Sequence, residues 1–422
     1  MKEEKIELKQ GIKLHHIYNN RFKTNLLAVF LTMPLTRQTV TKETVISSIL
    51  RRGTRNLKTQ EEISKKLEEM YGASFDCGVE KMGDQHVIKF YLEALNEEFL
   101  PQKEDVLKEA FNLIVDIALN PYMEKVGFME EYVRQEKENI KQMIEGKKDN
   151  KSRYALDRCM EEMYQGKNYG LYKYGYIEDL EELNAKNLYM YYQEMIQNCK
   201  IDIFVSGNIQ RQEVVNLGTE NKVLEELKPR EEKIVENDMA DSLEKEKVVI
   251  EELDVTQGKL VLGLTMQLAS EEEKYDALVY NMILGGGANS KMFQNVREKA
   301  SLAYTAGSNF IRPKNTIVVR AGIEIENYEK ALQIIQVQLE DMKKGNFSEQ
   351  DLADAKQAIQ ATIQFIPDEQ DTQISYYLGQ ELAQKEVSLE EYSKKVSEVT
   401  KQKVMDVANH TKIHTIYFLK NK

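Results

Sequence analysis

The sequence predicts an α+β protein made of two homologous halves, each an antiparallel-rich sheet flanked by helices, arranged as a clamshell. Along its 422 residues, apolar runs of strand length alternate with amphipathic stretches of helix length. The same order of elements occurs twice, and a charged segment poor in aromatic residues separates the two passages. The composition, 41% hydrophobic and 30% charged, is that of a globular protein with enough apolar residues for several cores.

The first half, residues 1–208, begins with strands and continues with helices. Leu26–Met33 is a nearly continuous apolar run, which is typical of a strand buried on both faces. Thr59 and Glu62 form a capping box that begins a helix ending near Gly72. The other predicted strands are 5–8, 12–17, 74–80, 86–95 and 201–206, and the other predicted helices are 44–52, 103–119, 130–145, 154–164 and 185–198.

Residues 209–246 predict an exposed linker. This segment is highly charged, and its middle, 227–233, has neither a helical nor a strand period. Such a composition buries too little apolar surface to offset the entropy lost on ordering.

The second half, residues 247–422, repeats the pattern of the first. Leu260–Met266 resembles Leu26–Met33, 296–304 resembles 67–75, and 347–350 resembles 128–131. The matching order favours an internal duplication, and the cleft between two such halves is the natural ligand site. The predicted strands are 260–268, 303–311, 316–325 and 415–419, and the predicted helices are 273–284, 328–342, 349–365, 372–384, 389–396 and 402–410.

Charge and composition exclude several classes of protein. A net charge of −12 argues against nucleic acid as a partner. No apolar run approaches the roughly 18 residues that span a bilayer, and the charged start Met1-Lys2-Glu3-Glu4-Lys5 is not followed by a signal segment. We therefore expect a cytoplasmic protein without a membrane partner.

The cysteines and histidines predict neither disulfides nor a metal site. The cysteine count is odd and no CxxC occurs, so reduced, buried thiols are expected. None of the five histidines stands at a metal-ligand spacing with acidic partners. These residues are Cys77, Cys159, Cys199, His15, His16, His86, His410 and His414.

The most distinctive segment runs from Ile283 to Tyr304 and reads ILGGGANSKMFQNVREKASLAY. Its three consecutive glycines permit positive φ and the close approach of another backbone. Arg297 and Tyr304 stand seven residues apart, with a helix end and a turn expected between them. From the residues alone, Arg297 forms a salt bridge, Tyr304 fills a core, and the glycines turn the chain.

This segment and the order of elements resemble the pitrilysin/insulinase family of zinc metallopeptidases, over essentially the whole chain. In that family an inverted motif, HxxEH, supplies two zinc ligands and the glutamate that activates water, and a later helix supplies a third ligand. The resemblance implies that a peptide substrate contacts the matching arginine and tyrosine, whose donors suit a carbonyl oxygen or oxyanion. The implied substrate-binding residues are Gly285, Gly286, Gly287, Arg297 and Tyr304.

The same resemblance implies that the zinc ligands are lost. The corresponding helix reads TVISSILRRGT, and its Arg-Gly-Thr sets the register. The first histidine, the glutamate, the second histidine and the third ligand become Thr44, Ser47, Ser48 and Met143, with Glu136 and Glu138 close to the last of these. Neutral hydroxyl groups are poor zinc ligands and serine does not replace the base, so we expect no metal, no cofactor and no cleavage by that chemistry.

The role that the resemblance implies is that of a non-catalytic, peptide-binding partner of a zinc-bearing paralogue. The chain is most similar to zinc-less bacterial members associated with aminopentanol modification of elongation factor P, although its residues show no such role. The alternative is a homo-oligomeric peptide-binding or scaffold protein, and a homodimer is one form that the isolated chain can take. A serine mechanism at Ser47 or Ser48 would need a positioned base, and displaced zinc ligands would have to come from the remaining histidines.

Overall fold

Two sheets organise the chain, and each belongs to its own structural unit. The computed structural model describes residues 3–102, 104–125, 127–232 and 235–422. Some residues of the predicted segments lie outside these ranges. They are Met1 and Lys2 of the charged start, Lys103 at the predicted start of a helix, and Lys233 at the end of the segment without a helical or strand period. Unit 1 comprises the described residues of 1–145, 171–236 and 366–385, and unit 2 comprises 146–170, 237–365 and 386–422.

The sheet of unit 1 has six strands. Two of its central strands are almost completely buried, because helices cover both faces of the sheet. In chain order the strands are β1 (Glu3–Lys9), β2 (Ile12–Tyr18), β3 (Thr24–Pro34), β4 (Ser74–Met82), β5 (Gln85–Leu95) and β6 (Lys200–Gly207). Their order in the sheet is β1-β2-β6-β3-β5-β4, with β2 and β6 parallel and the other neighbouring pairs antiparallel.

The helices of unit 1 pack on this sheet or on one another, and the predicted capping box is present at Thr59 and Glu62. They are α1 (Val40–Leu50), α2 (Gln60–Glu69), α3 (Val106–Leu119), α4 (Glu130–Glu145), α6 (Ile177–Leu180), α7 (Ala185–Asn198), α8 (Arg211–Thr219), α9 (Lys222–Glu226) and α13 (Gln370–Leu382).

The sheet of unit 2 has five strands, β7 (Lys247–Glu252), β8 (Gly258–Met266), β9 (Ala303–Ile311), β10 (Thr316–Ile323) and β11 (Thr411–Lys420), in the order β7-β11-β8-β10-β9. Its helices are α5 (Lys151–Met163), α10 (Glu273–Gly285), α11 (Tyr328–Lys343), α12 (Glu349–Phe365), α14 (Leu389–Ser397) and α15 (Lys401–Asn409), and a π-helix spans Phe293–Lys299. In the described part of the chain, no helix is long and apolar enough to cross a membrane.

The sheet topology confirms the predicted duplication. The order β2-β6-β3-β5-β4 in unit 1 matches β7-β11-β8-β10-β9 in unit 2, and the first pair is parallel in both units. The similar segments Leu26–Met33 and Leu260–Met266 lie in the corresponding strands β3 and β8. β1 is an additional edge strand of unit 1.

The unit boundaries differ from the predicted boundaries at residues 208 and 247, because each sheet is covered by a helix from the other half of the sequence. Helix α5 packs on β8 and β11 of unit 2, and α13 packs on β3 and β6 of unit 1. Gly263 of β8 makes room for α5, since a Cβ there would lie 2.5 Å from Met163 Sδ. Helices that are distant in the sequence pack on these apolar sheet faces. Hydrophobic periodicity alone does not indicate which sheet an amphipathic helix covers.

The predicted linker also differs from the structure. Residues 209–226 contain two helices, α8 and α9, and Val214, Leu217 and Leu224 are buried in the core of unit 1. The described residues of 227–246 contain neither helix nor strand, in agreement with their composition. The side chain of Arg230 is buried there and donates to the carbonyl oxygen of Ile196, 2.7 Å away.

Candidate functional site

Helix α1 carries the three positions that are predicted to replace HxxEH, and two of their side chains form hydrogen bonds to backbone carbonyl groups. Thr44 Oγ1 lies 3.0 Å from the carbonyl oxygen of Val40 and 3.1 Å from that of Lys173. Ser47 Oγ donates to the carbonyl oxygen of Thr44 at 2.9 Å, the usual back-bond of a helical serine. Thr44 and Ser47 are buried and Ser48 is half-buried. The Ser47 hydroxyl is therefore bonded to a carbonyl group and not to a base that would activate it.

The predicted third-ligand position, Met143, lies on α4, which packs against α1. Met143 is 44% exposed. The nearby Glu136 is buried and forms an ion pair with Arg52, and its other oxygen accepts from Asn139 Nδ2 at 3.1 Å. Its charge is thus neutralised by a guanidinium group. Glu138 is exposed and accepts from Gln142.

A buried acid–imidazole pair lies next to Thr44, the first of the predicted replacements. His86 Nδ1 is 2.6 Å from Glu43 Oε2, and its Nε2 is 3.0 Å from the carbonyl oxygen of Lys173. Because a carbonyl oxygen only accepts, Nε2 carries a proton, and one further proton lies between Nδ1 and the carboxylate. The pair is neutral overall wherever that proton resides. The hydroxyl of Tyr191 donates to Glu43 Oε1 at 2.6 Å, and burial beside this carboxylate raises the pKa of Tyr191.

The sequence did not reveal this pair, because Glu43 and His86 are 43 residues apart. The described ranges contain no group of three or more His, Cys, Asp or Glu side chains arranged to hold a metal ion. The available signal was a charged residue at helical spacing from the apolar residues Val40, Ile46 and Leu50 of α1.

The glycine triplet of unit 2 lies where α10 ends against β9. A Cβ on Gly285 would lie 2.5 Å from the backbone nitrogen of Ser308, so this glycine permits the close packing of two parts of the chain. A Cβ on Gly286 would lie 2.8 Å from Met282 Cα, whereas Gly287 has no neighbour closer than 3.8 Å. The expected close approach of another backbone therefore occurs at Gly285, and the approaching backbone is that of Ser308 in the same unit.

Arg297 and Tyr304 both lie at the surface of unit 2. Arg297 belongs to the π-helix, a rare form that often occurs at functional sites; its guanidinium carbon is 4.4 Å from the centre of the Phe293 ring. Tyr304 is the second residue of edge strand β9, is 63% exposed, and donates to Glu324 Oε1 at 2.8 Å, which raises its pKa. The alternative in which Tyr304 fills a core is therefore wrong.

A cavity of about 480 Å³ lies in unit 2 beside β9, and we call it the unit 2 cavity. Its lining includes Gly285 and Gly286 but not Gly287, Arg297 or Tyr304, so the structure brings only part of the predicted set together.

Two cations that the sequence analysis missed, Lys259 and Arg320, line the unit 2 cavity, and its described lining contains no carboxylate. Lys259 donates to Gln257 and Arg320 to Asn309; neither has an acidic partner among the described residues. Burial lowers the pKa of Lys259. The available signal was a charged residue within each of the apolar strands β8 and β10.

The two topologically similar units, with the predicted motif replacement on one and the glycine-rich segment on the other, are those of a peptidase homologue. Residues 182–359 match the family domain described as "Peptidase M16 inactive domain". The chain is 35% identical to "Probable inactive metalloprotease YmfF" of Bacillus subtilis, over 97% of this chain and 96% of that protein. The chain belongs to the M16 family of pitrilysin/insulinase-type peptidases, as a non-catalytic member.

Two other similarities extend this result. "Uncharacterized zinc protease YmxG", also of Bacillus subtilis, is 23% identical over 64% of each chain. A crystal structure of a conserved protein from Enterococcus faecalis superposes with a TM-score of 0.89 at 28% identity, covering 100% of this chain and 99% of that one. The predicted two-unit α+β fold is thereby confirmed.

Proposed function

We propose that this chain is the peptide-binding, regulatory subunit of a cytoplasmic zinc peptidase whose partner carries HxxEH. In this proposal, Thr44, Ser47, Ser48 and Met143 replace the zinc ligands and the base. The observation that carries it is that Tyr304 and Arg297 are both exposed, although the Tyr304 hydroxyl donates to Glu324 and Arg297 pairs with Glu298. Exposed aromatic and arginine side chains are the residues that most often contribute binding energy at interfaces.

The unit 2 cavity supports the same proposal. Its glycine-lined wall leaves backbone accessible, and Lys259 and Arg320 offer unpaired positive charge to a peptide carboxylate. An extended peptide can also pair with β4, the edge strand of unit 1 against which α1 packs. Main-chain hydrogen bonds of this kind select a peptide by its length and shape more than by its sequence.

Relatives in one organism support a partner. Bacillus subtilis has both a relative called a probable inactive metalloprotease and a relative called a zinc protease. A genome that encodes both kinds supplies the two chains that a heterodimer requires.

The test is co-expression of this chain with the HxxEH relative of the same host, followed by size-exclusion chromatography and a peptidase assay on a mixed peptide library. We expect a complex whose activity exceeds that of the zinc-bearing chain alone. Arg297→Ala with Tyr304→Phe should lower that activity about 10- to 100-fold, since a hydrogen bond to a charged group contributes about 1.5–3 kcal/mol. Absence of a complex, or unchanged activity in the double variant, would refute the proposal.

Matched controls come from unit 1. Tyr71 is exposed and donates to Glu104, and Arg134 is exposed and pairs with Glu131 three residues before it. Tyr71→Phe with Arg134→Ala removes the same chemical groups elsewhere. This control should leave the activity of the complex unchanged.

A homo-oligomeric peptide-binding or scaffold protein is the second candidate, and strand β7 favours it. This edge strand exposes about half of the Val248 and Ile250 side chains, next to unpaired backbone groups. Such an edge invites pairing with a second copy. Light scattering of the isolated chain and of Val248→Lys with Ile250→Lys discriminates: a dimer that the variant abolishes supports this candidate, and a monomer in both cases contradicts it.

A further inference from the structure

A glycine in the sheet of unit 2 leaves a notch in the wall of the unit 2 cavity. Gly322 of β10 lies directly between Lys259 of β8 and Thr305 of β9 in the antiparallel register. Directly opposed residues lie on the same face of a sheet, so Lys259 and Thr305 flank a position that has no side chain. All three residues line the cavity. We call this indentation the Gly322 notch.

The contacts that an added Cβ would make show which groups border the Gly322 notch. A Cβ at Gly322 would lie 3.1 Å from Thr305 Oγ1 and 2.8 Å from Gln257 Oε1. Lys259 Nζ donates to the same oxygen of Gln257. A hydroxyl group, an amide group and an ammonium group therefore converge on the space above Gly322, and each belongs to a side chain that is at least partly exposed.

Arg320 adds a second positive charge beside the Gly322 notch. It is exposed and stands two residues before Gly322 on β10, so the two residues lie on the same face of the sheet. It pairs with Val261 of β8, which is two residues after Lys259, so the two cations are diagonal neighbours on that face. Its guanidinium group donates to Asn309, a neutral amide that also lines the cavity.

The charges around the Gly322 notch select an anion. The described lining of the cavity contains Lys259 and Arg320 but no carboxylate, and the printed acceptors of both cations are neutral amides. Burial lowers the pKa of Lys259, and no acid among the described residues reverses that shift. A half-buried ammonium group without a counter-ion is an unfavourable arrangement, which a bound anion would relieve.

Two helix ends meet at the cavity and largely offset each other. Helix α5 begins there through Ser152, its second residue, and a helix N-terminus carries partial positive charge. Helix α10 ends there through Gly285, and a helix C-terminus carries partial negative charge. The two full charges of Lys259 and Arg320 therefore decide the sign of the ligand.

We infer that the Gly322 notch binds a compact oxyanion, a carboxylate or phosphate group, between Lys259, Arg320 and the Thr305 hydroxyl. The ammonium and guanidinium groups form charge-assisted hydrogen bonds to the oxyanion, and the hydroxyl group donates a further one. Because Gly322 has no side chain, the anion reaches the floor of the notch. A free small anion supplies this chemistry, as does the carboxylate at the C-terminus of a peptide. The notch is built from residues of unit 2, so the inference does not rest on the proposed subunit role.

The experiment uses the full, isolated chain and measures binding by calorimetry and by the shift of the thermal midpoint. The small probes are succinate and inorganic phosphate, with butanediamide as the neutral counterpart of succinate. The peptide probes share one sequence without charged side chains and end in a free carboxylate or in an amide. We expect saturable binding of at least one oxyanion probe, and at least tenfold weaker binding of the neutral and amidated compounds. The probe that binds most tightly identifies the source of the anion.

Four variants locate the site. Lys259→Gln and Arg320→Gln should each weaken anion binding at least tenfold, and the thermal midpoint of the free chain should not fall, because neither residue has an acidic partner among the described residues. Gly322→Ala places a methyl group in the notch, and the chain tolerates it because the atom that it meets most closely ends the flexible side chain of Gln257. Thr305→Val removes the hydroxyl group and keeps the shape. Both of these variants should weaken binding without a change of charge.

Matched controls lie elsewhere in unit 2. Lys330→Gln removes an exposed cation of α11, and Gly287→Ala adds a methyl group where no neighbouring atom lies closer than 3.8 Å. Neither residue lines the cavity, so both variants should bind the anion as the wild type does.

The inference is overturned if none of the oxyanion probes binds, if the neutral or amidated compound binds as well as its anionic counterpart, or if Lys259→Gln and Arg320→Gln bind like the controls. The subunit proposal is tested by complex formation with the HxxEH relative, whereas anion binding is measured on the isolated chain. Failure of that proposal and failure of this inference are therefore separate results.

Discussion

Glu381 anchors helix α13 to the sheet of unit 1, and its replacement tests how that exchanged helix is held. The carboxylate is 6% exposed and accepts from three lysines, Lys5 at 2.9 Å, Lys13 at 2.8 Å and Lys200 at 2.6 Å. These lysines come from the adjacent strands β1, β2 and β6. One side chain of α13 therefore bridges three strands.

Glu381→Gln removes the charge and leaves the three ammonium groups facing one another. Removing one partner from a buried ion pair costs about 3–5 kcal/mol. The lysine side chains retain 15–27% exposure, so water screens part of their repulsion. We therefore expect a loss of about 2–4 kcal/mol in the free energy of unfolding of unit 1 at pH 7.

The pH dependence of this loss has a definite sign. Burial alone would raise the pKa of Glu381, but hydrogen bonds from Lys13, Lys200 and Lys5 outweigh it and hold the pKa well below 4.5. The stabilisation is thus fully present above pH 4.5 and is lost as the pH falls below that value. Lys13 has a raised pKa, so its contribution is present below pH 10.5 and is lost above it.

The assay is urea unfolding monitored by tyrosine fluorescence, since the chain has 22 tyrosines and no tryptophan. Hydrogen exchange assigns the affected transition to residues 366–385 and to the strands that they cover. Asp371→Asn, an exposed carboxylate on the same helix, is the control and should cost less than about 1 kcal/mol. A loss below 1 kcal/mol for Glu381→Gln, or one that persists unchanged at pH 3, would refute the reasoning.

Three further predictions concern packing and protonation. Gly285→Ala should destabilise unit 2 by about 1–3 kcal/mol through overpacking, whereas Gly287→Ala should change its thermal unfolding by less than about 0.5 kcal/mol. Burial lowers the pKa of His15, but its hydrogen bonds to Asp202 and Glu3 outweigh this and raise the pKa above 6.5. The stabilisation from these bonds is therefore present below pH 6.5 and decreases at higher pH. Urea unfolding of His15→Gln should show a larger loss in the free energy of unfolding at pH 6 than at pH 9. Burial raises the pKa of Cys159 and Cys199 to about 12, so iodoacetamide at pH 8 should label them slowly in the native chain and rapidly after denaturation.

Local sequence patterns predicted most of the order of elements, but not β7, α8 or α9. Leu26–Met33 is almost wholly buried as part of β3, and Thr59 caps α2 as its spacing predicts. The duplication could be predicted because corresponding strands have similar apolar runs. The exchange of α5 and α13 could not be predicted, because it depends on which sheet face each amphipathic helix covers, and periodicity carries no information about the partner.

The candidate functional residues also differ in how far the sequence alone could predict them. Arg297, Tyr304 and the glycines are close in sequence and form a recognisable segment. Glu43 and His86 are 43 residues apart and meet only because α1 packs against β5. Such a pair becomes visible once the packing of the helix on the sheet is known.

Helix α1 carries both the positions predicted to replace HxxEH and the glutamate of the buried acid–imidazole pair. At the predicted positions, the side-chain hydroxyls of Thr44 and Ser47 bond to backbone carbonyl groups. One residue before Thr44, the carboxylate of Glu43 is buried and bonded to His86 and Tyr191. A buried carboxylate needs such partners to remain in the core. These two contacts therefore join α1 to β5 and to α7 through one polar side chain.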